Sequence, residues 1–201
     1  MNVAKGLLRG ALALALAAAA ASAVAPAGAT TLIRESLDEL VAANRAVVVG
    51  EVVDAHSYWN EDHSFILTDV RVAVREALKG DVSDRELTVT VMGGQVDGLT
   101  TLIVGGPELI PGNSYVLFLN PENLPGVENA LTVRDLCQGA FDVTIGRDGL
   151  RAISQANSHP LVPDRSGYVD APGGSEGIPL PAMMQSIRET VERQSARQEV
   201  Q

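Results

Sequence analysis

His56 and His63 bracket Tyr58, Trp59, Glu61 and Asp62, and Asp69 follows a little further on. Imidazoles and carboxylates are the donors that hold zinc and related divalent ions, so this stretch is the best supplied in the chain for metal-assisted chemistry. If residues 57–62 make a turn, His56 and His63 face each other across a strand pair. Two imidazoles fall short of the three or four donors that a zinc centre uses, so the competing reading is a set of solvated hairpin side chains. Neighbours in a strand point to opposite faces, so one of Tyr58 and Trp59 is expected in the core and the other outside. An exposed aromatic there would serve as a contact anchor, the type of residue that dominates binding hot spots. The possible ligand contacts are therefore His56, Tyr58, Trp59 and His63.

No catalytic signature accompanies them. The chain lacks His-Glu-x-x-His and a glycine loop ending in Gly-Lys-Ser/Thr. Gly93-Gly94 and Gly105-Gly106 precede no helical pattern, so they read as turns and not as phosphate cradles. Serine, histidine and aspartate all occur, but their spacing does not single out a triad. No motif calls for a cofactor, and no catalytic residue is assigned.

The elements that must position these residues are mostly strands. Ser36-Leu37-Asp38-Glu39 fits a capping box and opens a short helix over 37–44. The β-branched run 46–53 is a strand, and Gly50 inside it marks a bulge or sharp coil. Strands are also expected over 63–78, 87–91 and 115–119, with a short one within 99–104, and Pro121, Pro125 and Gly126 in a loop. Phe141–Ile145 and Leu150–Ile153, joined across Arg147-Asp148-Gly149, read as a hairpin. Residues 154–179 are rich in Ser, Pro and Gly and read as a linker. Leu180, Met183, Met184, Ile187 and Val191 then recur at helical spacing, an amphipathic helix over 180–198 that either docks on its own domain or takes a partner. Glycine-interrupted, strongly twisted strands favour a small antiparallel barrel.

The N-terminus places that domain outside the cytoplasm. Lys5 and Arg9 precede an uncharged Ala- and Leu-rich run, Pro26 breaks it, and Ala27-Gly28-Ala29 offers small residues to a signal peptidase. Residues 1–29 are expected to be removed on export, leaving a barrel domain over 30–153, the linker and the helix. The exported chain carries no membrane-spanning segment, because the alanine-rich run is only weakly hydrophobic and is lost with the signal. Without Lys5 and Arg9 the chain has 13 basic residues against 25 acidic ones, a balance of −12. Such a chain is repelled by phosphate backbones and anionic lipid, which argues against nucleic acid as a partner. Cys137 is the single cysteine, so no internal disulfide is available and it reads as a small buried apolar residue.

The run Ala46-Val47-Val48-Val49-Gly50-Glu51-Val52, then Tyr58-Trp59, Thr68-Asp69-Val70 and Val74-x-Glu76-x-Leu78-Lys79-Gly80, resembles a group of exported bacterial proteins of unassigned activity. Gly93-Gly94, Pro111-Gly112 and Gln138-Gly139-x-Phe141 fit the same pattern, which spans residues 37–153. The resemblance implies an OB-like barrel, similar in layout to the inhibitory domain of tissue metalloproteinase inhibitors and to netrin-type modules. Those inhibitors reach the target's zinc with an N-terminal cysteine, whereas this chain would begin Thr30-Thr31-Leu32. The expectation is an exported, non-enzymatic module that binds an exported protein or another ligand through barrel loops. An inhibitor of an extracellular or periplasmic protease is the first alternative, and a metal-dependent enzyme at His56/His63 the second.

Overall fold

Strand-forming runs dominate the computed structural model, which describes residues 34–158 and 176–198. The signal segment and residues 159–175 of the linker lie outside the described residues. Helix α1 (Leu37–Ala43) leads into β1 (Ala46–Trp59), β2 (Ile66–Lys79) and β3 (Glu86–Met92), an antiparallel meander. The small hairpin β4 (Gly94–Val96) and β5 (Leu99–Thr101) follows. Then come β6 (Ser114–Leu124), β7 (Val127–Val133), β8 (Ala140–Gly146), β9 (Gly149–Ser154), β10 (Ile178–Pro179) and helix α2 (Leu180–Gln198).

Eight strands form one sheet in the order β10-β9-β8-β6-β1-β2-β3, with β7 also paired to β6. Following the neighbours β6-β1-β2-β3 brings β3 alongside β7, so these five strands curl into a ring. The antiparallel, barrel-like curl is not closed: β3 and β7 share no ladder, and the sheet stays open at that seam. The coiling itself has the predicted source. The β1–β2 register shifts at Val49/Gly50, and a Cβ on Gly50 would stand 2.6 Å from Val72 Cγ1, so only glycine lets β2 pass so closely.

Both faces of the central strands are buried, which explains the unbroken apolar runs of β1 and β6. Val48, Val52, Val70, Val72, Val89, Val91, Leu117 and Leu119 fill the inside of the curl. Val47, Val49, Val116, Phe118 and Phe141 face outward and are covered by Leu40 and Val41 of α1 and by Leu180, Met183 and Ile187 of α2. The C-terminal helix therefore docks on its own sheet. Two stretches of the expected linker are folded as well: Gln155 is buried, and Ile178–Pro179 pairs with β9.

Helix α1 is too short to persist by itself, and its ends are held from elsewhere. The capping box forms: the Ser36 N–H donates to Glu39 Oε2 at 2.8 Å, and the Glu39 N–H to Ser36 Oγ at 3.3 Å. Thr190 Oγ1 of α2 donates to Asp38 at 2.7 Å. At the C-terminal end the Lys79 ammonium donates to the Val41 carbonyl, while Asn120 Nδ2 and the Arg134 guanidinium donate to the Ala43 carbonyl at 3.1 and 3.2 Å. Cations at a helix C-terminus oppose the negative end of its dipole, so these contacts satisfy both charge and hydrogen bonding.

Candidate functional site

The β1–β2 turn places the sequence-chosen residues but does not gather them. Asn60 directs the turn: its Oδ1 accepts the N–H groups of Ser64 (2.9 Å) and Phe65 (3.0 Å), and its Nδ2 donates to the Pro125 carbonyl at 3.3 Å. His63 takes a positive φ of 55° within it. His56 stands opposite Asp69 in the ladder and stacks on Tyr58, ring centroids 6.4 Å apart. His63 instead stacks on Trp59, at 6.3 Å. Tyr58 and Trp59 point to opposite faces of β1, so the two imidazoles are carried to different sides, and the expected juxtaposition is corrected. Tyr58 and Trp59 are both half-buried, so neither the fully buried nor the free aromatic is found. Among the described residues, no three His, Cys, Asp or Glu side chains converge to hold a metal ion.

Asp69 anchors a polar cluster on this outer face. Its Oδ1 accepts from the Tyr58 hydroxyl at 3.2 Å and from Thr90 Oγ1 at 2.7 Å. Burial, reinforced by the Asp69 carboxylate, pushes the Tyr58 phenol above its ordinary value and keeps it a donor. This arrangement satisfies polar groups at a sheet surface and presents no nucleophile paired with a base.

A more open site lies at the mouth of the curl. A cavity of about 430 Å³ is lined by Thr68, Val70 and Val91 from β2 and β3, by Gly93 and Gly94, and by the loop 101–109. None of His56, Tyr58, Trp59 or His63 lines it. The lining residues are apolar or glycine apart from Thr68, Thr101 and Glu108, and Glu108 is the one among them that carries a charge. Above it Leu102 is 82% exposed and Val104 83%, while Ile103 between them turns partly inward. Large aliphatic side chains left this open on a loop mark an interaction surface more than a core.

The loop that carries them is fixed to the frame. Residues 103–106 form a tight turn in which the Gly106 N–H donates to the Ile103 carbonyl at 3.0 Å, with Gly105 at a φ of 80°. That geometry calls for glycine at its third position and leaves Val104 at the tip. The Cys137 N–H donates to the Gly105 carbonyl at 2.9 Å. The Gln155 amide grips the backbone of Glu108 from both sides, donating to its carbonyl at 2.8 Å and accepting its N–H at 2.9 Å. Tyr115 Oη accepts the Ile110 N–H at 2.8 Å, and Leu109 is buried in the inner core. On the opposite wall, Thr68 Oγ1 donates to the Gly93 carbonyl at 2.7 Å and meets Ser57 Oγ at 2.8 Å, which fixes the base of the β4–β5 hairpin.

Sequence reasoning did not find this mouth. Two signals stood in the chain: Asp97-Gly98 between Val96 and Leu99, the dipeptide of a two-residue hairpin turn, and the apolar residues of a glycine-flanked loop. The fixing residues Gln155 and Cys137 lie far off in sequence, and nothing local announces them. No protein-family model matches the chain, and no curated protein matches it.

Proposed function

We propose that this protein is an exported, non-enzymatic binding module that recognises its ligand at the loop-lined mouth of the sheet. One observation carries the reading: Leu102 and Val104 project into solvent beside an aliphatic cavity, on a loop whose backbone is pinned at Gly105, Glu108 and Ile110. A loop held this way loses little freedom when a partner arrives, so the apolar surface it covers converts more fully into affinity. The cavity is of the size that small-ligand and side-chain pockets occupy. Export rests on the charge, apolar run and small residues of positions 1–29.

The test is capture from exported material on the immobilised chain, compared with a variant carrying Leu102→Asp and Val104→Asp. Both positions are exposed, so the variant should unfold at the same temperature as the parent. A ligand retained by the parent, lost by the variant, and slowing amide exchange across 93–109 is the expected result. Retention by both proteins would end the reading.

A further inference from the structure

Resting on the binding reading above, we infer that the mouth takes a polypeptide segment in which apolar side chains flank a lysine or arginine. The cavity wall is aliphatic, and its volume of about 430 Å³ accommodates one or two apolar side chains without displacing the pinned loop. None of the lining residues is cationic, and Glu108, which is exposed, is the single one that carries a charge. The Glu108 backbone is clamped on both its N–H and its carbonyl by Gln155, so the exposed carboxylate leaves a fixed point of the rim. A cation set beside the apolar anchors would meet that carboxylate, whereas an acidic segment would be turned away.

Charge also decides against a second copy as the occupant. The chain has a net charge of −10, and a symmetric pair would set one acidic mouth against another. An anionic lipid surface is disfavoured for the same reason. A basic, apolar peptide is the occupant whose charge and surface both match.

A random peptide library displayed on phage and selected on the full exported chain tests this. Selected peptides should share apolar positions next to Lys or Arg. As synthetic peptides, they should lose about tenfold or more in affinity against Leu102→Asp. They should lose a few-fold against Glu108→Gln and weaken as salt is raised, as an exposed ion pair does. Glu108→Gln keeps the backbone clamp, so its thermal unfolding should equal that of the parent. Selected peptides without a basic residue, equal binding to Glu108→Gln, or no enrichment would each overturn the inference. So would self-association abolished by Leu102→Asp, which would make a second copy the occupant. A captured ligand that depends on Leu102 and Val104 but carries no cation would leave the binding module standing and remove only this inference.

Discussion

Glu35 is where a single side chain sits least comfortably. Its N–H donates to Gln138 Oε1 at 2.9 Å, while its own Oε2 is buried without a partner. Burial first, and then the nearby Asp135 carboxylate, raise its pKa above the usual 4.5, against the opposing pull of Arg134. A carboxyl whose folded pKa is raised contributes stability that is complete below its unfolded value and is lost as pH rises through the folded one. Glu35→Gln should therefore stabilise the protein at pH 7 relative to the parent. The gap should close once both forms are neutral, below about pH 4. Urea denaturation of both proteins at the two pH values measures this. Other side chains set by context were equally hard to read from sequence. Nothing in its own type sets Asn60 apart from Glu61 and Asp62 beside it, yet its side chain holds the turn and ties it to Pro125. His56 and His63 looked paired because a turn brings neighbours together, but strand alternation and the left-handed backbone of His63 separate them.

At the scale of elements, legibility followed local pattern. The capping box at Ser36, the hairpin at Arg147-Asp148-Gly149 and the apolar stripe of α2 are all periodic or fixed-offset signals, and all three elements form there. Strand β7 and the end of β6 had no such signal, and Pro121 pointed to a loop. Pro121 sits in β6 opposite Leu131, beyond the point at which β1 stops pairing with β6 at Leu119. On that side no ladder bond is lost, and a proline there is tolerated. The loop over the mouth was legible as apolar residues but not as a fixed surface, because its clamp comes from Gln155. Gln155→Leu should remove the hold on Glu108 and leave the Glu108 N–H and carbonyl to find other partners. Amide exchange over 105–109 should accelerate well beyond the change at β1 or β6, and affinity at the mouth should fall with it. Unchanged exchange in that loop would remove Gln155 from its positioning role.

The whole molecule is two apolar layers that share β1 and β6. One fills the curl, and the other lies between the sheet and the helices. Because successive residues of the same strands belong to different layers, neither layer can be lost while the other keeps its register. Ile187 of α2 is fully buried against the sheet, and Trp59 reports from the far end of β1. Ile187→Ala should cost about 2–5 kcal/mol. Tryptophan fluorescence and far-ultraviolet circular dichroism should then follow one shared transition, moved to lower denaturant. Two separated transitions would mean that the helical layer melts independently. The sequence indicated an antiparallel, mainly β domain with two helices, and those are present. The open seam between β3 and β7 was not legible, because closure depends on how far several bulges turn the sheet together.

The ammonium that closes α1 has a consequence for chemistry performed on the protein. Lys79 is the one lysine beyond residue 29, its head donates to the Val41 carbonyl, and burial lowers its pKa. The lower pKa favours the free amine that acylating reagents attack, but the lone pair becomes available only when the nitrogen turns away from the helix end. An amine-directed reagent under native conditions thus reaches Lys79 only through that movement. The rate at which label appears at Lys79 becomes a clock for the opening of α1, readable by mass spectrometry without an engineered probe.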